Sequence, residues 1–327
     1  MLSFTVELTS SEFLESLWNQ IFLSKDKKSI LFWGFNDFTI RLIKRMYSNN
    51  LSEKICGIID SDEKLQGNKI ENFTVLNPTS LSELQFDTLV VVSNKDKENI
   101  LKTFSYMDHR KPKIIMAGID HLDFTDSLYH DILSSSVVSP RAFGYKNMLI
   151  HLYQSLVFIA KNGLMGNIAE FGVYKGGTTV FLARVVEKLG IKAKIFAFDT
   201  FHGFPERKSV LDMYDDPHDE FFDFDAVVDY CRPFNIDLVK GDISQTYHRL
   251  EGIPLVLSFF DTDNYSPTKD ALDLCYRQTV KGGIMAFDHY HCDERWLYTL
   301  GERIAVSDFF RDKNMLNLYG TGLFLKL

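Results

Sequence analysis

The chain has few cysteines, no long apolar run and no basic excess, and each shortage excludes a class of protein. Cys56, Cys231, Cys275 and Cys292 are its only cysteines among 327 residues, with neither CxxC nor zinc-finger spacing. Free thiols in a reducing, cytoplasmic location are therefore expected, rather than a disulfide framework. No stretch approaches the roughly 20 apolar residues that span a bilayer, and Met1 to Leu14 lack the basic-then-apolar layout of a signal peptide. A formal net charge of −8, with no basic stripe, argues against a nucleic-acid groove. What remains is 45% hydrophobic and 24% charged, ordinary for a globular protein, at a length that suits two domains.

The strongest pattern present reads as strand, glycine turn, helix, strand, acid. Asn167 to Phe171 is a short apolar run, Gly172 to Gly177 a turn, and Thr178 to Leu189 carries apolar residues at helical spacing. Lys194 to Phe198 then delivers Asp199 to a strand end, where a carboxylate can accept hydrogen bonds from a ribose diol. The turn is Gly-x-x-x-Gly-Gly rather than Gly-x-Gly-x-x-Gly, and Glu170 stands where a pyrophosphate would be repelled. A cationic, phosphate-free nucleoside such as S-adenosylmethionine fits this turn better than NAD.

Further strands end in acids. Ile236 to Val239 leads to Asp242, Pro254 to Phe260 to Asp261 and Asp263, and Gly283 to Phe287 to Asp288 and His289. Any one of these acids also fits a turn or a helix cap. Together, at the carboxyl ends of parallel strands, they converge on a ligand crevice.

These residues carry a family resemblance. EFGVYKGG at 170–177, FDTFHGFPE at 198–206, VKGDI at 239–243, FDTDNYS at 260–266, KGGIMAFDHY at 281–290 and RIAVSDFF at 303–310 together resemble a class I S-adenosylmethionine-dependent methyltransferase, more narrowly the macrocin-type O-methyltransferases. The resemblance covers roughly Pro140 to Leu327. It implies that Glu170, Gly172, Tyr174 and Gly176 surround the methionine part of the cofactor, that Asp199 holds the ribose, and that Asp242 and Ile243 border the adenine. Thr178, Thr200, Phe201 and Asp261 complete the implied cofactor-binding set. It also implies a divalent cation, usually magnesium, at Asp261, Asp288 and His289.

His289 departs from the Asp-Asp or Asp-Asn pair of that family. Imidazole suits manganese, iron, cobalt, nickel or zinc better than magnesium. Either two carboxylates and a histidine hold a softer metal, or His289 turns away and the metal is lost; Asp263 is a replacement ligand or a hydrogen-bonding group. The catalytic candidates are His289, Asp263 and Asp288, with His289 first as the base that takes the acceptor's proton. His202 and His291 are weaker candidates.

The expected reaction moves a methyl group from S-adenosylmethionine to a hydroxyl of a small molecule, a sugar or natural-product intermediate. Methylation at nitrogen or carbon of an amino-bearing acceptor is the alternative, and an NAD-linked sugar-modifying enzyme or a non-catalytic cofactor-binding protein are alternatives of another class. The partners expected are the small-molecule acceptor and further copies of the chain in a homo-oligomer, with no nucleic acid and no membrane. The acidic, aromatic insert Arg207 to Asp225 is read as a lid over substrate or as a solvated loop.

Upstream, Ser29 to Trp33, Lys54 to Ile59, Phe86 to Val92 and Lys113 to Met116 read as strands, with helices beginning after Gly34 and at Lys97. The fold class is thus α/β: a small degenerate Rossmann-type domain (1–118), a linker (119–145) and a Rossmann-like methyltransferase domain (146–327) with a mostly parallel sheet closed by a terminal antiparallel hairpin at Asn314 to Leu327. Gly34 and Asp60 sit where a dinucleotide fold would use them, but Phe35 and Asp37 crowd the phosphate position. A structural, oligomerising or substrate-presenting role is expected of this domain.

Overall fold

A computed structural model describes residues 15, 18, 19, 21, 29–93, 96–108, 110–117, 124, 126–144, 147–291 and 294–327, with the side chains of 294–296 excepted. Met1 to Leu14, Cys292 and the expected boundary residues 118 to 120, 145 and 146 lie outside the described residues. The chain forms two compact units, Met1–Phe124 and Thr125–Leu327. No helix among the described residues is long and apolar enough to cross a membrane.

The first unit is built on a six-stranded sheet. Its strands are β1 (Ile30–Trp33), β2 (Ile55–Ile59), β3 (Lys69–Ile70), β4 (Phe73–Leu76), β5 (Thr88–Val92) and β6 (Lys113–Ala117), in the order β3-β4-β2-β1-β5-β6. All pairs are parallel except β3 with β4. β1 and β5 are buried along their whole length, which is why they read as unbroken apolar runs. Helix α1 (Asp37–Ser48) follows β1 and α2 (Lys97–Met107) follows β5.

The turn after β1 is occupied by the protein itself. Gly34 has φ +116, and a Cβ there would meet the Val92 carbonyl oxygen at 1.9 Å. Asn36 caps α1 by accepting from the amides of Phe38 and Thr39. Asp60 accepts from the Phe35 amide at 2.7 Å and from the Asp62 amide at 2.8 Å. The glycine and the acid that suggest a dinucleotide here instead hold strand ends together.

The second unit carries a seven-stranded sheet. Its strands are β7 (Asn167–Phe171), β8 (Ile195–Asp199), β9 (Ile236–Lys240), β10 (Leu255–Phe260), β11 (Thr279–Phe287), β12 (Met315–Asn317) and β13 (Leu323–Lys326). The order is β12-β13-β11-β10-β7-β8-β9, with β13 antiparallel to both neighbours and the pairs from β11 to β9 parallel. Chain direction across the sheet reverses between β7 and β10, and a crevice opens outside the carboxyl strand ends at such a point. The terminal hairpin is the one expected from Asn314 onward.

Within the expected linker, Ser127–Ser134 forms helix α3, whose Tyr129 ring meets Phe181 at 5.7 Å between centroids. Helix α4 (Met148–Lys161) follows, then α5 (Gly177–Lys188), α6 (Phe224–Cys231), the short α7 (Ile243–Thr246), α8 (Tyr265–Gln278) and α9 (Leu300–Phe310). One layer beneath the strand ends, Phe198, Phe171, Phe260 and Phe287 stack in a row across β8, β7, β10 and β11. Their centroids lie 4.9, 4.6 and 4.9 Å apart and their planes within 22° of parallel. This row is a flat apolar floor, and the polar loops stand on it.

Candidate active site

A cavity of about 820 Å3 opens above that floor in the second unit. Among the expected site residues, Gly172, Tyr174, Thr178, Asp199, Thr200, Asp242, Ile243, Asp261, Asp263, Asp288 and His289 line it, whereas Glu170, Gly176 and Phe201 do not. The strand alternation explains Glu170: Phe171 joins the aromatic floor, so Glu170 points to the opposite face of β7 and is completely buried.

Glu170 accepts no hydrogen bond of good geometry, and burial pushes its carboxyl up to about 8. Its folded pKa thus lies above the ordinary 4.5. The unfolded chain therefore loses this proton first as pH rises, and the group costs the fold stability between those two values. Glu170→Gln, which removes the titration, is expected to stabilise the free protein by ~2 kcal/mol or more at pH 7.5 and to leave it unchanged near pH 4. Chemical denaturation at both pH values measures this.

The glycine turn is fixed from three sides. Gly172 has φ +97, and a Cβ there would lie 2.0 Å from the Asp261 carbonyl oxygen. Its glycine is needed because β7 and β10 run together, so the close approach is of a neighbouring strand rather than of a ligand alone. Asp199 accepts from the amides of Val173 (2.8 Å) and Tyr174 (2.9 Å) through Oδ2, and from the Phe201 amide (2.8 Å) through Oδ1. It thereby locks the turn to the end of β8, with lone-pair capacity left on the cavity side. The Thr178 hydroxyl donates to the Arg141 carbonyl and accepts from the Arg141 amide.

Elsewhere on the cavity wall, Asp242 caps α7 by accepting from the Ser244 amide and pairs with Lys208 Nζ at 2.6 Å. Lys208 belongs to the insert after β8, which is pinned at several points although Lys208, Asp215, His218 and Phe222 are exposed. Asp212 accepts from the Ser266 amide and hydroxyl, both at 2.7 Å, and Asn264 exchanges two hydrogen bonds with the Tyr214 backbone. Asp219 pairs with Arg141 at 2.7 Å and Asp215 with Arg207 at 2.8 Å. The insert forms one wall of the cavity.

The acids after β10 and β11 gather around one imidazole. His289 Nε2 lies 2.9 Å from Asp263 Oδ1, 3.2 Å from Asp261 Oδ1 and 3.7 Å from Asp288 Oδ2. His289 therefore faces the acids instead of turning away. Asp261, Asp263 and His289 each offer a ligand atom within 4.8 Å of the others. Asp288 is placed differently: its two oxygens accept from the amides of Phe143 (3.0 Å) and Gly144 (2.9 Å). Asp263 thus joins Asp261 and His289 at the spacing a metal ion would need, while Asp288, grouped with them in the sequence, is engaged by backbone amides. Burial, then the charge of Asp288, raises the Asp261 carboxyl well above its usual range, although 21% of the side chain is exposed.

Two residues escaped the sequence reading. Arg141 precedes the glycine motif by some thirty positions, so no local pattern marks it. Glu302, in the first turn of α9, is completely buried and its carboxyl is pushed up by burial to about 7. It accepts from the His289 amide at 2.9 Å and from the Thr262 amide at 3.1 Å. A charged residue inside an amphipathic helix reads as solvated, and only tertiary structure reveals its partners. His202 is exposed, and neither it nor His291 lines the cavity.

Comparison with known proteins accords with this geometry. Residues 26–115 match the family model described as C2185-like, N-terminal. No curated protein matches the chain. Among solved structures, the O-methyltransferase NovP is 17% identical over 55% of this chain and 79% of its own, with a TM-score of 0.48. The calicheamicin methyltransferase CalS11 is 22% identical over 61% and 89%, with a TM-score of 0.46. An O-methyltransferase from Bacillus cereus, solved in complex with SAH, is 13% identical over 63% and 94%, with a TM-score of 0.37. The assignment rests instead on residues 140–317, more than half of the chain, which match the macrocin O-methyltransferase family model and enclose the glycine turn, the acids and His289. By that match the chain belongs to the macrocin O-methyltransferase family and is an S-adenosylmethionine-dependent O-methyltransferase.

Proposed function

We propose that the second unit transfers a methyl group from S-adenosylmethionine to a hydroxyl of a small sugar or natural-product intermediate, with Asp261, Asp263 and His289 holding a divalent cation. The observation that carries this reading is the meeting of those three side chains in the cavity that the glycine turn also lines. The donor set fits a cation: two carboxylate oxygens and an imidazole nitrogen converge. When bound, such a cation lowers the pKa of a coordinated hydroxyl near neutral pH.

The chain's own residues supply the rest. The turn around Gly172 and Tyr174, fixed by Asp199, orients the donor so that its methyl group faces the acids. In-line displacement at a methyl carbon depends chiefly on that alignment. His289 Nε2 lies between Asp261 and Asp263; with a cation held there it is a ligand, and with none the same nitrogen is placed to take the proton of the acceptor hydroxyl. A hydroxyl acceptor suits the site better than an amino-bearing one, because Asp212, Asp215 and Asp219 of the insert are already committed to Ser266, Arg207 and Arg141.

Titration calorimetry tests the donor. S-adenosylmethionine and S-adenosylhomocysteine are expected to bind once per chain and NAD not at all. Binding of NAD with no binding of either sulfur compound would sink the reading.

A further inference from the structure

We propose that Glu302 is the positioning residue of the active site: one buried carboxylate that holds the loop after β10 and the loop after β11 in mutual register. The inference rests on the metal-assisted reading above and concerns a residue that does not line the cavity.

The geometry is specific. Glu302 Oε2 accepts from the amide of Thr262, which lies between the two aspartates Asp261 and Asp263, and from the Thr262 hydroxyl at 3.3 Å. Glu302 Oε1 accepts from the amide of His289. The carboxylate therefore bridges the two segments that bring Asp261, Asp263 and His289 together. Thr262 is in turn hydrogen-bonded to the Thr268 hydroxyl of α8, so the bridge is braced on both sides.

A buried carboxyl on a helix is costly unless its acceptors are used, and here each oxygen accepts from a loop amide. Simple packing would be served better by leucine or methionine. What only a carboxylate can do at this point is accept from two opposed backbone donors at once. The His289 ring and the two aspartates inherit their spacing from that pair of bonds.

Glu302→Gln tests this without changing volume, since an amide offers one oxygen and must turn its NH2 toward the other backbone donor. Groups that hydrogen-bond behind metal ligands typically change metal affinity by about 10- to 100-fold. The expected result is a Mn2+ affinity lowered about tenfold, faster hydrogen exchange at the Thr262 and His289 amides, and S-adenosylhomocysteine binding unchanged. Thr262→Val, which keeps the amide bond to Glu302 and removes the hydroxyl's bonds to Glu302, Thr268 and Asn264, is expected to move Mn2+ affinity in the same direction by a smaller factor and serves if Glu302→Gln does not fold. Unchanged Mn2+ affinity and unchanged exchange in either folded variant overturn the positioning role. If the unsubstituted chain binds no Mn2+, the metal-assisted reading falls instead, and the two amide exchange rates alone decide whether Glu302 holds the loops.

Discussion

Asp263→Asn is expected to weaken Mn2+ binding by about a hundredfold or more, because it removes a ligand itself and not a group behind one. Asn keeps the size of the side chain and tolerates the left-handed backbone found at this position, φ +59. The loss is therefore electrostatic: one of two charged oxygens within reach of His289 Nε2 becomes a neutral amide. S-adenosylhomocysteine affinity should change by less than about threefold, since Asp199, not Asp263, holds the glycine turn. Asp288→Asn is the informative contrast. Both Asp288 oxygens are already engaged by the amides of Phe143 and Gly144, so its loss should loosen that segment and affect metal affinity less than the Asp263 change. Mn2+ titration followed by electron paramagnetic resonance compares the two variants. Equal metal losses in both would return Asp288 to the ligand set and remove Asp263 from its primacy.

Gly172→Ala is expected to cost ~3 kcal/mol or more of stability, which corresponds to a fall in Tm of roughly 6 to 12 °C for a unit of this size. Two penalties act together. The backbone stands at φ +97, where an L side chain is strained, and the added Cβ would lie 2.0 Å from the carbonyl oxygen of Asp261. That oxygen belongs to backbone and cannot swing aside. Relief requires β7 and β10 to separate at their carboxyl ends, which would move Asp261 and the turn held by Asp199. Thermal unfolding with and without S-adenosylhomocysteine should show the lower Tm and a reduced ligand-induced rise. A Tm within a degree or two of the unsubstituted chain would refute the close strand approach.

Strand identity was legible because buried parallel strands are continuous apolar runs, as in Leu255–Phe260 and Thr88–Val92. The short β3 and β4 were not, since neither is wholly buried and Lys69–Ile70 is only two residues long. At the site, the positions of Asp261, Asp263 and His289 followed from their places just after strands. Which acids were available did not follow: Asp288 and Asp199 are turned to backbone amides of segments distant in sequence, at Phe143 and at Val173. Glu170 shows the same limit from another side. Its place in the motif was right for a ligand-binding turn, but the alternation of β7 sends it away from the cavity. Glu302 was invisible because a carboxylate announces its partners only once the fold supplies them.

The row of Phe198, Phe171, Phe260 and Phe287 has an evolutionary consequence. Four of the loops that touch the cavity, those after β8, β7, β10 and β11, begin just beyond one of those rings. Residues can therefore be inserted into or deleted from the loops while the slab beneath stays whole. The segment 207–225, in the loop after β8, forms one wall of the cavity. Rebuilding that wall would alter what the cavity accepts, while the glycine turn and the acids after β10 and β11 keep one shared foundation.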